Sequence, residues 1–174
     1  MHLFYAPDIK GQEIYLLSEA ESKHCIKVLR MKEGDHLQAL DGKGASFKCE
    51  VTDAHPKRCQ VKVIETTVYE KNDAEHLHIA IAPTKNMARF EWFLEKATEL
   101  GISEITPIYC SNSERKNVKM ERLEKIVLGA MKQSMSLFLP VLNEPMKFED
   151  LVTLQDDSLR YIAHCQNLSY NSPT

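Results

Sequence analysis

Three cations, Lys23, Lys27 and Arg30, stand at i, i+4 and i+7. On a helix they would share one face, and such a stripe can neutralise phosphates along a nucleic-acid backbone. A solvated face balanced by Glu19, Glu21 and Glu33 is the alternative. His24 adds a ring able to stack or hydrogen-bond, although a lone histidine is more often structural. A second cluster, Ser111-Asn112-Ser113-Glu114-Arg115-Lys116, follows an apolar run. If a helix begins near Lys116, then Arg115, Lys119 and Arg122 share a side and could hold a phosphate or a carboxylate. Otherwise this is a charged helix start in which Glu121 and Glu124 supply i, i+3 partners. Pro83-Thr84-Lys85-Asn86 and Ala163-His164-Cys165-Gln166 close two further apolar runs. All three loops would lie at the carboxyl edge of a parallel sheet, where open α/β folds bind ligands. A His164–Cys165 nucleophilic dyad is disfavoured, because neighbours on an extended chain point to opposite sides.

The elements that must hold these groups are of two kinds. In the first 65 or so residues, Phe47, Cys49 and Val51 alternate with Lys48 and Glu50, and Cys59, Val61 and Val63 alternate with Gln60 and Lys62, as half-buried strands do. Asp41-Gly42-Lys43-Gly44 makes a hairpin turn between strands at His36 to Leu40 and Ala45 to Val51. Ser18 and Glu21 have capping-box spacing, so one helix starts there and ends before Gly34. A small, partly open β-barrel with one helix is the simplest assembly. The polar stretch Thr67 to Glu75 reads as a linker.

Beyond it, Leu77 to Ala82 is an apolar run suited to a strand covered on both faces. Phe90, Phe93, Leu94, Ala97 and Leu100 recur at helical spacing and stop at Gly101, a C-cap signal. Ile102 to Tyr109 gives a second strand, so a βαβ unit is expected. Another helix buries Leu123, Ile126, Val127, Ala130 and Ser134, and a short one around Phe148, Leu151 and Val152 leads to a third strand at Leu159 to Ala163.

Composition narrows the function. With 43% hydrophobic residues the chain can bury a core, while 22 Lys plus Arg against 25 Asp plus Glu give no bulk basic charge, so any nucleic-acid surface must be local. The five cysteines are odd in number and lack a C-x-x-C pair, which disfavours a disulfide framework and a zinc site. No apolar run approaches membrane-spanning length and the start lacks a signal-peptide pattern, so a soluble cytoplasmic protein is expected. There is no Walker loop and no G-x-G-x-x-G. No glycine follows Gly129, although a cofactor pocket built from backbone generally needs glycine for close approach.

Taken in order, His24, Val28-Leu29-Arg30, Gly34-Asp35, Asp41-Gly42-Lys43-Gly44, Lys96-Ala97-Thr98-Glu99-Leu100-Gly101, Ile105-Thr106-Pro107, Ser113-Glu114-Arg115 and Gln133-Ser134 form a set. The set resembles the RsmE family of 16S ribosomal RNA uridine-N3 methyltransferases, from near the start to about Ala163. The resemblance implies an α+β two-domain chain: a PUA-like RNA-binding barrel over residues 1–68 and, over 76–174, the incomplete first portion of a SPOUT-type, trefoil-knot α/β methyltransferase domain with a parallel sheet. It further implies S-adenosyl-L-methionine as methyl donor, the small ribosomal subunit as partner, and a homodimer. Family members continue into a Gly-Pro-Glu-Gly-Gly loop and a Leu-Arg-x-Glu-Thr stretch that hold the donor. The chain is therefore expected to end before its main cofactor loop and to be inactive alone. Position 132 also departs from the pattern, with Lys132 where the family has an acidic residue before Gln133, and no arginine stands in Met135-Ser136-Leu137.

Methyl transfer to N3 requires loss of the imide proton and alignment of base with donor. On the resemblance, Arg115 and Lys119, with Arg30 reaching from the barrel, are the candidates to favour the imide anion. Lys23, His24, Lys27, Arg30 and Lys43 would grip RNA, Ser113, Glu114 and Gln133 would line the substrate loop, and Ala163 and His164 would meet the cofactor; no metal is implied. A non-enzymatic RNA-binding protein remains the main alternative, and a small-molecule enzyme on a doubly wound sheet a third.

Overall fold

The computed structural model of the chain describes residues 2–71, 76–111, 113, 117–154 and 159–163. The first half is a curled sheet of five strands, β1 (Leu3–Tyr5), β2 (Ile14–Leu16), β3 (His36–Leu40), β4 (Ala45–Asp53) and β5 (Gln60–Val68), ordered β1-β3-β4-β5-β2. β1 runs parallel to β3 and the other neighbours are antiparallel. Alternation sends Phe47, Cys49 and Val51 into the core with Phe4, Leu37 and Val61, as the period of two requires. The register shift between Lys48 and Cys49 ends this pattern on β5, whose residues from Ile64 onward are exposed. In the predicted hairpin, Asp41 Oδ1 accepts from the backbone N–H groups of Lys43 (2.7 Å) and Ala45 (2.9 Å).

The helix after β2 differs from the expected single α-helix. α1 (Glu19–Lys23) does start at Ser18, whose side chain accepts from Glu21 N at 3.2 Å. The chain then widens into a π turn over His24–Val28, with Leu29 N donating to His24 O and Met31 N to Cys25 O. Burying both Cys25 and Met31, whose sulfurs lie 3.6 Å apart, is what the wider turn accommodates. Arg30 follows in left-handed conformation, φ 57°. Lys23, Lys27 and Arg30 thus sit on an α turn, a π turn and the exit from it, and the simple i, i+4, i+7 face does not form.

The second half contains β6 (His78–Ile81), α2 (Met87–Glu99), β7 (Glu104–Tyr109), α3 (Met120–Ser134), β8 (Val141–Leu142), β9 (Met146–Lys147) and α4 (Phe148–Thr153). β6, β8 and β9 all run parallel to β7, so the expected βαβ unit is present. Phe90, Leu94 and Ala97 of α2 pack with Leu123 and Val127 of α3 and Ile105 of β7. Leu100, expected in that stripe, is 85% exposed: it is the C-cap, and Gly101 at φ 83° turns the chain away. Ser134 is also exposed, its hydroxyl donating to Ala130 O, and Met131 is the buried residue of that turn. β6 is only half-buried, because β7 is its one strand partner among the described residues. Leu159 to Ala163 forms no strand; the side of β7 away from β6 is taken by β8 and β9, two-residue strands too short to leave a periodic signal.

Candidate functional site

Lys23, His24, Lys27, Arg30 and Lys43 are all exposed. The His24 ring tilts against Phe4, centroids 6.0 Å apart, so its place is set by the core below. Lys43 is elsewhere on the sheet, its Nζ donating to Pro7 O at 3.4 Å. The basic groups therefore stand on the α1–π segment and, apart from it, in the β3–β4 turn, and among the described residues none of them pairs with a carboxylate.

The second half docks at that turn. The hairpin turn pairs with the segment after α3 as an antiparallel bridge: Gly44 N donates to Leu137 O (3.0 Å) and Leu139 N to Gly42 O (2.8 Å). Only glycine fits there. A Cβ on Gly44, at φ 104°, would lie 2.5 Å from Tyr69 O and 2.7 Å from the Phe138 ring. Lys71, which leaves the first sheet, donates to Ser103 Oγ at 2.8 Å and lies over the Phe138 ring. A second contact joins the helices. Lys132 Nζ on α3 donates to both Glu21 oxygens, at 2.7 and 2.9 Å, and lies 5.8 Å from the Phe4 centroid. A capping box would turn the Glu21 carboxylate back toward Ser18 N; instead it faces Lys132.

The loops at the carboxyl edge of the sheet are less gathered than spacing suggested. α3 begins at Met120 and not near Lys116, so Lys119 stands outside the helix that carries Arg122, and the helical side proposed for the two does not form. Lys119 is the exposed N-cap residue, about 20 Å along the axis from Lys132. Arg122 is committed to α2, with Nε 2.6 Å and a second nitrogen 2.8 Å from the Glu91 carboxylate. Ser113 closes a turn after β7, its hydroxyl accepting from Cys110 N at 2.9 Å. Gln133 is exposed beside Lys132, at the barrel end of α3, and Ala163 is exposed. Glu114, Arg115 and His164 lie outside the described residues. Lys119 and Arg30 share no hydrogen bond or ion pair. What the structure does bring together is the His24 side of the barrel and the Lys132–Gln133 end of α3.

At the opposite, amino-terminal edge a polar network spans three strands. Asn143 Nδ2 donates to Glu104 Oε1 (2.6 Å) and Thr106 Oγ1 (2.8 Å), while His78 meets Thr106 (2.7 Å) and His76 meets Glu104 (3.2 Å). Burial pushes the Glu104 carboxyl up, but the Asn143 bond and the two imidazoles outweigh it and hold the group below its usual range. Among the described residues no three His, Cys, Asp or Glu side chains could hold a metal ion, and no helix is long and apolar enough to cross a membrane. A groove of about 480 Å³ between Tyr5, Glu121, Lys125, Leu128 and Leu142 takes in none of the predicted site residues.

This architecture, a curled sheet pinned by a glycine hairpin to a parallel α/β unit, is matched by known families. Residues 70–171 match the RNA methyltransferase domain family, and residues 17–64 the PUA domain of RNA methyltransferases. The chain belongs to the RNA methyltransferase family. It is 27% identical over 155 residues to ribosomal RNA small subunit methyltransferase E of Bacillus subtilis, covering 86% of this chain and 60% of that protein. The protein of that name from Buchnera aphidicola is 25% identical over 150 residues, covering 83% and 59%. A probable rRNA-methyltransferase from Porphyromonas gingivalis has a crystal structure that superposes with a TM-score of 0.79 at 38% identity, over 90% of this chain and 65% of that one. The chain thus spans about 60% of the length of the curated relatives it matches. In this member of the family, sequence reasoning missed the Glu21–Lys132 pair. The sole signal was Lys132 itself, a basic residue where the family pattern is acidic.

Proposed function

We propose that this chain is the RNA-gripping barrel and the opening portion of the catalytic domain of an S-adenosyl-L-methionine-dependent methyltransferase. Its substrate is 16S RNA of the small ribosomal subunit, at N3 of a uridine. The observation that carries the reading is the match of both halves, in order, to the PUA and methyltransferase domains of RNA methyltransferases. The donor supplies the methyl group. Gly101 and Gly129 do not serve as close-approach positions for it: both lie toward the edge opposite the ligand-binding one, and an added Cβ on either meets nothing within 4 Å.

The basic residues Lys23, Lys27, Arg30 and Lys43 track phosphates, and His24 and Gln133 meet the substrate strand. Arg115 and Lys119 favour the imide anion, and Arg30 serves that site from the barrel of a homodimer. The domains divide as 1–68 and 76–174, and the protein works in the cytoplasm. Labelled methyl transfer to small-subunit RNA by a version extended to the relatives' length tests the activity; no incorporation overturns it. Reversing the charges of Lys23, Lys27 and Arg30 tests the grip. Affinity for ribosomal RNA should fall, and the salt dependence should flatten by about one counterion per lost contact. An unchanged affinity would remove the barrel's role.

A further inference from the structure

The hairpin bridge between Gly42–Gly44 and Leu137–Leu139 consists of two backbone hydrogen bonds on one short line. The Lys71–Ser103 hydrogen bond lies beside the same bridge, since Lys71 also stands over Phe138, so these ties hold one side of the joint. A tie from another element is needed to fix the orientation of the barrel helix. Glu21 and Lys132 supply it, because Glu21 is on α1 while the bridge is at the β3–β4 turn.

The pair is built to hold a geometry. Both Glu21 oxygens accept from one ammonium, and side-chain exposure is only 11% for Glu21 and 23% for Lys132. Lys132 also lies over the Phe4 ring, against which the His24 ring tilts as well. Met131, fully buried, fills the space between, its sulfur 3.7 Å from where a Cβ on Gly42 would stand. A pair sheltered this far gains little net stability over an apolar contact, but breaking it leaves a charge unpaired in a sheltered place, which favours the one arrangement that keeps it. The groups on either side are those assigned to RNA: Lys23, His24 and Lys27 beyond Glu21, and Gln133 beyond Lys132.

We propose that Lys132 is a positioning residue: through Glu21 it fixes the barrel's basic helix against the end of α3, so that one RNA strand meets both as a single surface. This rests on the RNA-binding reading above.

Glu21→Gln gives the decisive sign. By charge alone, removing an anion from a surface that meets phosphates should tighten RNA binding. With the latch lost, binding weakens. Filter binding of extracted small-subunit ribosomal RNA to the 174-residue chain should show affinity falling about tenfold for Glu21→Gln and for Lys132→Met, the range of contacting pairs. The double variant should be no worse than either single one. The exchanged pair, E21K with K132E, should recover to within about threefold of the parent, since net charge and the bond are both kept. Tighter binding by E21Q, or an exchanged pair as weak as the single variants, overturns the latch. If E21Q, K132M and the charge reversals at Lys23, Lys27 and Arg30 all leave affinity unchanged, the RNA reading has failed and the latch with it. If only the reversals weaken binding, the RNA reading stands and the latch is wrong.

Discussion

Arg30 holds a φ of 57°, a conformation that costs a non-glycine residue about 1–2 kcal/mol, and it does so exposed, at the exit of a π turn. Nothing in the packing demands a long cation there. Strain carried by an exposed charged side chain points to use of the side chain, and here the use argued above is phosphate contact. Replacing it with glycine separates the two effects. Arg30→Gly should raise the midpoint of thermal unfolding by roughly 2–4 °C, the shift expected for about 1 kcal/mol in a chain of this size. The same variant should bind ribosomal RNA more weakly and with a salt slope reduced by about one. A variant that gains stability and keeps its affinity would reduce Arg30 to a turn residue.

At the scale of elements, the network on β6, β7 and the β8 exit supports the sheet instead of acting on a substrate, since it occupies the edge opposite to the ligand-binding one. Its consequence is a pH dependence. Because the folded-state pKa of Glu104 is depressed, its contribution is fully present above the unfolded value near 4.5 and is lost as pH falls through the lower folded value. Glu104→Gln should therefore be less stable than the parent at pH 7, and the gap should close as pH falls below about 4.5. Urea titrations at the two pH values measure this; a constant gap would show that the carboxylate charge is not what matters. The same elements show what periodicity can and cannot reveal. Ser18, the Asp41–Gly44 turn, the β4 alternation and the stripes of α2 and α3 were legible because each is a local pattern. The π turn was not, because it answers to the joint burial of Cys25 and Met31, nor were β8 and β9, which are defined only by pairing with β7. Among site residues, exposure of the barrel cations could be read, but the start of α3 at Met120, which parts Lys119 from its expected neighbours, could not.

For the molecule as a whole, the decisive structure is the joint. Two small units linked by a short polar stretch would ordinarily move independently. Here the turn that closes β3 and β4 is also a strand partner of the segment leaving α3, Met131 is fully buried beside it, and Lys71 ties the exit of β5 to Ser103. The first sheet thus cannot lose its hairpin without exposing α3's last turn, and unfolding of the parent chain should be a single calorimetric transition. Gly44 is where that coupling can be cut. Alanine there must clear Tyr69 O, a backbone atom that cannot rotate away, at a φ of 104°. The strain and overlap together should cost about 3 kcal/mol or more. At Gly101, φ 83°, an added Cβ meets nothing within 4 Å, so alanine should cost only about 1 kcal/mol of backbone strain. Gly44→Ala should split the melt into two transitions, while Gly101→Ala shifts it slightly and leaves it single. Two transitions in the parent chain, or an unsplit melt in Gly44→Ala with stability matching Gly101→Ala, would mean that the hairpin bridge does not join the two halves mechanically.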